Sequence, residues 1–159
     1  MTVHARVQEA DFSPEAELAP LQASGAGGIA MFLGVARAAG ASGPVHVLEL
    51  EHYPGMTEAS LHGIALEAQQ RWDLLSARIV HRVGRMGAGE RIVFVGAAAR
   101  HRGPAFEACE YMIDQLKTRA PFWKREEGPR GAAWVEARED DEQASRRWSG
   151  DAGGEEGEC

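Results

Sequence analysis

The sequence predicts an α+β fold with a mostly antiparallel sheet, and three observations carry that prediction. Residues Ala77 to Val83 and Arg91 to Ala99 are β-rich runs joined only by Gly84-Arg85-Met86-Gly87-Ala88-Gly89-Glu90, a connection short enough for an antiparallel hairpin. Between Val45 and Glu51, Leu48 and Leu50 alternate with Glu49 and Glu51, which is the period of a half-buried strand. Helix-period stripes lie among these runs, yet no regular strand, helix, strand repeat of a parallel sheet runs through the chain.

In chain order, Ser13-Pro14-Glu15 supplies an N-cap, a proline at the first helical position and an acid in the first turn, predicting a helix to about Ala23. Ser24-Gly25-Ala26-Gly27-Gly28 breaks it, and Ile29 to Val35 reads as a strand. A glycine-bearing loop from Ala38 to Pro44 leads to the strand at Val45. Tyr53-Pro54-Gly55 is a turn, after which Leu61, Ile64, Ala65, Ala68 and Trp72 fall at helical spacing in a helix starting near Thr57. After the hairpin, Gly103-Pro104 opens a third helix whose apolar stripe is Phe106, Cys109, Met112, Ile113 and Leu116, and which ends because the residue before Pro121 must extend. Trp134 to Arg138 is the candidate last strand, and Trp148 is assigned to a short final helix covering the body.

The chain of 159 residues, 44% apolar and 26% charged, fits one domain, taken as residues 1–148. Its formal charge of −7 is concentrated near the end. Residues 149–159 are small, polar and acidic, and are expected to be a disordered tail. No apolar run approaches the roughly 20 residues of a spanning helix, and Met1-Thr2-Val3-His4-Ala5-Arg6 lacks a signal-peptide core, so a cytoplasmic protein is expected. There is no basic surplus for nucleic acid. Cys109 and Cys159 form no CxxC or Cys/His spacing, and His46, His52, His62 and His81 have no ligand spacing, so no metal and no disulfide framework is expected. Cys109 reads as a buried small apolar residue, and Glu49 and Glu51 as solvent or interface charges.

The chemistry-bearing feature is the contrast between fifteen arginines and two lysines, Lys117 and Lys124, seven residues apart around Pro121. An ammonium can lose its proton near neutrality and a guanidinium cannot, so proton transfer or nucleophilic work would account for two retained amines. Arginine bias with two accidental survivors is the bland alternative. Helical spacing puts Lys117 near the direction of Phe106 and Ile113, at the rim of the apolar stripe, where it either serves chemistry or only snorkels from a helix C-terminus. Arg100-His101-Arg102 at a helix start forms a candidate anion site, or Arg102 pairs with Glu107 or Glu110. Arg37 ends a strand before the glycine-bearing loop, a place at a pocket mouth or on solvated surface.

The segments Leu50 to Thr57, His81-Arg82-Val83-Gly84, Gly89 to Gly96, His101-Arg102 with Ala105 to Ala108, Leu116 to Glu126 and Trp134 to Glu139 resemble the large, catalytic subunit of molybdopterin synthase, the MoaE family, over roughly residues 3–148. The resemblance implies an α/β-hammerhead fold and a sulfurtransferase of molybdenum cofactor biosynthesis. Such an enzyme adds sulfur to cyclic pyranopterin monophosphate to form the dithiolene of molybdopterin, without a cofactor of its own. The implied partner is a small ubiquitin-like sulfur carrier with a C-terminal Gly-Gly thiocarboxylate, and two large subunits form the homodimer at the centre of a heterotetramer. By matching position, Lys117 is the principal catalytic residue and Lys124 the second. Arg37, His101 and Arg102 are implied to hold the pterin phosphate and ring, and Val35, Ala36, Arg125 and Glu126 to line the same pocket. Where family members often carry polar side chains after the arginine, Ala38-Ala39-Gly40-Ala41-Ser42-Gly43 follows here, so the loop is expected to rely on Arg37 and backbone groups.

Two other readings stand beside it. Lys117 as a desolvated amine would suit a Schiff-base enzyme, separable by borohydride trapping. Phe122, Trp123 and the lysines would also suit a non-catalytic docking groove for an extended tail, in which case no product forms with the wild-type chain.

Overall fold

The hairpin foreseen between residues 77 and 99 is the centre of the molecule, a computed structural model that describes residues 2–40, 43–135 and 139–149. Strands β1 (Thr2–Gln8), β2 (Gly28–Val35), β6 (Ser76–Arg82) and β8 (Arg91–Ala99) form one sheet in the order β1-β6-β8-β2. β6 and β8 pair antiparallel with Ala77 opposite Ala97 and Ile79 opposite Val95, and β2 adds antiparallel to β8. Only β1, which the sequence reading did not anticipate, joins in parallel, along β6. The short apolar run Val3, Ala5, Val7 is half-buried and interrupted by His4 and Arg6, too weak an alternation to stand out against a terminus.

Side chains alternate across this sheet and bury on both sides. On one side Ile79, Val93, Val95 and Ala97 pack with Leu61, Ile64 and Ala68 of α2 (Met56–Trp72) and Cys109, Met112 and Leu116 of α3 (Arg102–Arg119). On the other, Val80, Phe94 and Ala98 meet Leu21 of α1 (Pro14–Gln22) and Phe12. Ser13 caps α1 as expected, its hydroxyl accepting from the Ala16 N–H, with Pro14 at the first helical position. A Cβ built at Gly96 would lie 2.4 Å from Leu21 Cδ1, so glycine there permits the close approach of α1. Phe106 departs from its expected place in the α3 stripe: it is 66% exposed, because the helix rolls Ala105, Ala108 and Cys109 onto the sheet instead.

A second sheet, in the order β10-β9-β5-β7, is entirely antiparallel and contains β5 (Val47–His52), β7 (Gly84–Gly87), β9 (Phe122–Gly128) and β10 (Gly131–Val135). The connection between β6 and β8 is therefore more than a turn. At Gly84, with φ of +91°, the chain leaves the first sheet and pairs residues 84–87 with β5 before returning. Leu48 and Leu50 face inward with Met86 and Ala36 against Ile92, as their alternation with Glu49 and Glu51 foretold. β9 was not foreseen as a strand, because Lys124-Arg125-Glu126-Glu127 has no apolar alternation; partners on both sides hold it. The loop after Arg37 closes as a small ribbon of β3 (Ala39–Gly40) and β4 (Gly43–Pro44).

The turn at Gly55 starts α2 with its N–H bonded to Glu58 at 2.6 Å. The fully buried Thr57 accepts from the Tyr53 N–H at 3.0 Å and donates to the Pro121 carbonyl at 3.1 Å, tying that turn to the segment between the lysines. The last helix, α4 (Glu139–Arg146), packs on α3 through Ser145, which meets Gln115 at 3.2 Å and Thr118 at 3.1 Å. Trp148 lies just beyond the helix, in edge contact with Trp72 and Tyr111 and donating to Asp114 at 2.7 Å. The expected strand residues 136–138, and all of the expected tail except Ser149, including Cys159, lie outside the described residues. Among the described residues no helix is long and apolar enough to cross a membrane.

Candidate active site

Two different elements deliver the two lysines to one cleft. Ala120 is extended, with ψ of 129°, because Pro121 follows it, so the chain passes from the last turn of α3 directly into β9. Lys117 occupies that last turn, where a cation is favoured by the helix dipole. Lys124 shares the inward face of β9 with Phe122 and Glu126, by the alternation of a strand. The cleft, of about 540 Å³, is walled by Phe32 to Arg37 at the end of β2, Leu48 and Leu50 of β5, His81 of β6 and Asp141 of α4.

Lys117 is exposed at the mouth, beside the buried Leu116, which agrees with a rim position. Lys124 Nζ lies 3.2 Å from Glu126 Oε1, and that carboxylate side chain is only 11% exposed. Lys117, Lys124 and Arg37 stand against Glu126 and Asp141, so the lining carries a positive surplus suited to an anionic ligand. A Cβ built at Gly40 would collide with the Glu126 carboxylate and with Val45. The residue that looked like a lost donor is what allows the ribbon of β3 and β4 to close on Glu126.

His81 is the buried polar group of the wall, 5% exposed and stacked on Phe122 with ring centroids 3.9 Å apart. Burial above all, reinforced by the nearby Lys117 and His52 charges, lowers it from 6.5 to about 4 against the opposing effect of its bond to the Arg82 backbone, so its ring is neutral at physiological pH. Cys109 is buried on the sheet-facing side of α3, and burial pushes its thiol up to about 12, which leaves it without thiolate character. Among the described residues no group of three or more His, Cys, Asp and Glu side chains is placed to hold a metal ion.

Of the nine positions expected at the site, six meet in this cleft: Val35, Ala36, Arg37, Lys117, Lys124 and Glu126. Arg125 faces the other side of β9, where it approaches Glu127 at 3.5 Å and Glu49 at 3.8 Å. His101 and Arg102 are exposed at the opposite end of α3, about 22 Å from Lys117 at the rise of an α-helix. Their neighbours explain that placement: Gly27 and Gly28 at the start of β2 run hard against the backbone of Arg100 to Arg102, and Arg100 pairs with Asp73 at 2.9 Å. The suggested partners of Arg102 are engaged elsewhere, Glu107 by Trp72 at 2.8 Å and Glu110 by Arg147 at 2.6 Å.

Sequence reasoning missed His81 and Asp141. Nearly every residue of β6 is buried, so no alternation revealed which way His81 points. Asp141 read as one charge of an acidic end, and it reaches the cleft only because α4 is clasped to α3.

A model of the MoaE protein family matches residues 7–119 of this chain. The molybdopterin synthase catalytic subunit of Pseudomonas aeruginosa is 51% identical over 145 residues, covering 90% of this chain and 97% of that protein. The solved molybdopterin biosynthesis MoaE protein from Burkholderia ambifaria is 47% identical with a TM-score of 0.77, covering 93% of this chain and 97% of the other. A protein–protein complex of subunits 1 and 2 of molybdopterin-converting factor from Helicobacter pylori shares the fold at 18% identity, with a TM-score of 0.69 over 84% of this chain and 90% of that one. With residues 7–119 matched by the family model and about half its residues shared with the Pseudomonas and Burkholderia proteins along nearly all its length, the chain belongs to the MoaE family.

Proposed function

We propose that this chain is the catalytic subunit of a molybdopterin synthase, transferring sulfur from the C-terminal thiocarboxylate of a small ubiquitin-like subunit to cyclic pyranopterin monophosphate. The observation that carries the reading is the convergence of the only two lysines of the chain, from α3 and from β9, on one positively lined cleft. Sulfur transfer needs a cation beside the incoming acyl group and a proton donor for the departing oxygen. A lysine supplies both, whereas an arginine supplies only the charge. Lys117, at the open mouth, takes the proton-transfer role. Lys124, held by Glu126, orients the thiocarboxylate or neutralises the substrate phosphate. Cys109, buried and protonated, is unsuited to carry sulfur, which fits delivery by the partner.

Purified protein mixed with cyclic pyranopterin monophosphate and thiocarboxylated small subunit should yield dithiolene product, and Lys117→Arg should reduce the rate by about a hundredfold or more. Equal rates would remove the proton-transfer role, and no product with wild type would favour the docking-groove alternative.

Because His101 and Arg102 lie so far from Lys117 in one chain, their proposed contact with the pterin requires the cleft of a second large subunit. The edge strand β2, with Met31, Phe32, Leu33 and Val35 exposed beside the cleft, offers an apolar surface for joining two copies. Lys117→Ala and Arg102→Ala chains, each inactive alone, should regain about a quarter of wild-type activity when reassembled together, as expected for random pairing in a two-fold dimer. No recovery on mixing would return both residues to a role outside the cleft.

A further inference from the structure

The wall of the cleft contains a histidine that nothing in the sulfur-transfer chemistry above employs. His81 Nδ1 lies 2.7 Å from the Arg82 carbonyl oxygen. A carbonyl only accepts, so Nδ1 must carry the ring proton, and in a neutral ring Nε2 then holds a lone pair. The ring plane is fixed by stacking on Phe122 at an interplanar angle of 20°, and Phe122 belongs to the same strand as Lys124. Among the described residues Nε2 makes no hydrogen bond, although the ring lines the cleft that Lys117 also lines. A buried imidazole with one nitrogen tied to the backbone and the other presented to a cleft is an oriented dipole whose negative end faces the site.

We propose that His81 is a positioning residue of the cleft: its backbone-locked ring presents Nε2 to the cleft as a hydrogen-bond acceptor onto which the Lys117 side chain can turn, aiming that proton donor toward the reacting pterin. The inference rests on the sulfur-transfer reading of the site, but its physical core, the coupling of His81 to Lys117, stands apart from it. Burial keeps the imidazole neutral, which is required because a protonated ring would repel Lys117. The other charged or titratable groups facing this space are His52 beside the ring, Lys124 and Glu126 on β9, Arg37 after β2 and Asp141 on α4.

The possession of only two lysines makes a direct test available. Protein labelled with 13C-lysine should give two side-chain Cε signals, assigned with Lys117→Arg and Lys124→Arg. In His81→Phe, which keeps the stacking area and removes Nε2, the Lys117 signal should titrate at lower pH than in wild type while the Lys124 signal stays in place. The same variant should lose about tenfold in kcat with KM for the pterin little changed, and His81→Gln, which restores an acceptor near Nε2, should recover much of that loss. Should His81→Phe fail to fold, the reverse measurement needs no change at His81: in 15N-histidine-labelled protein, Lys117→Met should move the His81 Nε2 resonance. An unmoved Lys117 titration in a folded His81→Phe, an unmoved Nε2 signal in Lys117→Met, or wild-type kcat in His81→Phe would overturn the proposal. Absence of product from the wild-type protein would sink the sulfur-transfer reading instead, leaving the two titrations to decide the coupling.

Discussion

The two four-stranded sheets of this molecule are built on different physics. The first buries Ile79, Val80, Phe94 and Val95 completely, between α2 and α3 on one side and α1 on the other. The second has one buried face of Leu48, Leu50 and Met86 and an outer face of charges, where Arg85 binds Glu127 at 2.9 Å and Glu49 at 3.2 Å. Exposed ion pairs of that kind contribute little to stability, so the second sheet is held mainly by backbone pairing and by its seat on the first. The contrast separates labour. The apolar sheet supplies the free energy of folding, and the charged sheet is free to carry Lys124 and the Glu126 carboxylate, which would be costly in a core.

The largest expected effect tests the apolar half. Phe94→Ala should destabilise the chain by about 3–5 kcal/mol, read as a lower denaturant midpoint, by emptying the layer between β8 and α1. A loss no larger than that of a surface substitution would mean that the first sheet does not dominate stability.

Gly40→Ala addresses the other half. The added methyl must displace the Glu126 carboxylate or lift the ribbon. Stability should fall by about 1 kcal/mol, while product formation falls by about tenfold as Lys124 loses its fixed partner. Activity unchanged in this variant would show that the Glu126 contact does not place Lys124.

A pH-dependent effect joins the two sheets at His81, which belongs to the first by its strand and to the cleft by its ring. Its folded-state value, about 4, is below the ordinary 6.5, so the unfolded chain binds more protons between those limits. Stability should therefore fall as pH drops from about 6.5 towards 4, and His81→Phe should flatten that slope. His4, lowered first by burial and then by Arg78 and Arg6, acts in the same direction and leaves a residual slope in the variant. Chemical denaturation across this range, in wild type and variant, measures the difference; parallel curves would mean that His81 titrates normally in the folded chain.

Much of the fold was legible because its signals are local. Ser13-Pro14-Glu15, the stripe from Leu61 to Trp72, the alternation about Leu48 and Leu50, and the stop before Pro121 each depend on neighbours within a turn or two. β1 and β9 were missed because their order comes from distant partners. β1 lies along β6, more than seventy residues away, and β9 is a run of charges held between β5 and β10. The short connection after Val83 misled in the other direction, since it hides a strand of the second sheet.

The site divides in the same way. Residue type alone set Lys117 and Lys124 apart, because a chain that otherwise uses arginine for every positive charge reveals where it retains an amine that can give up a proton. Only the tertiary structure decided which groups share the cleft with them. It turned Arg125 away by strand alternation, carried His101 and Arg102 to the far end of a rigid helix, and brought in His81 and Asp141 from elements that no local pattern connects to the lysines. Chemical capacity is a property of the residue, written once along the chain. Proximity is a property of packing, set by the balance of many distant contacts at once.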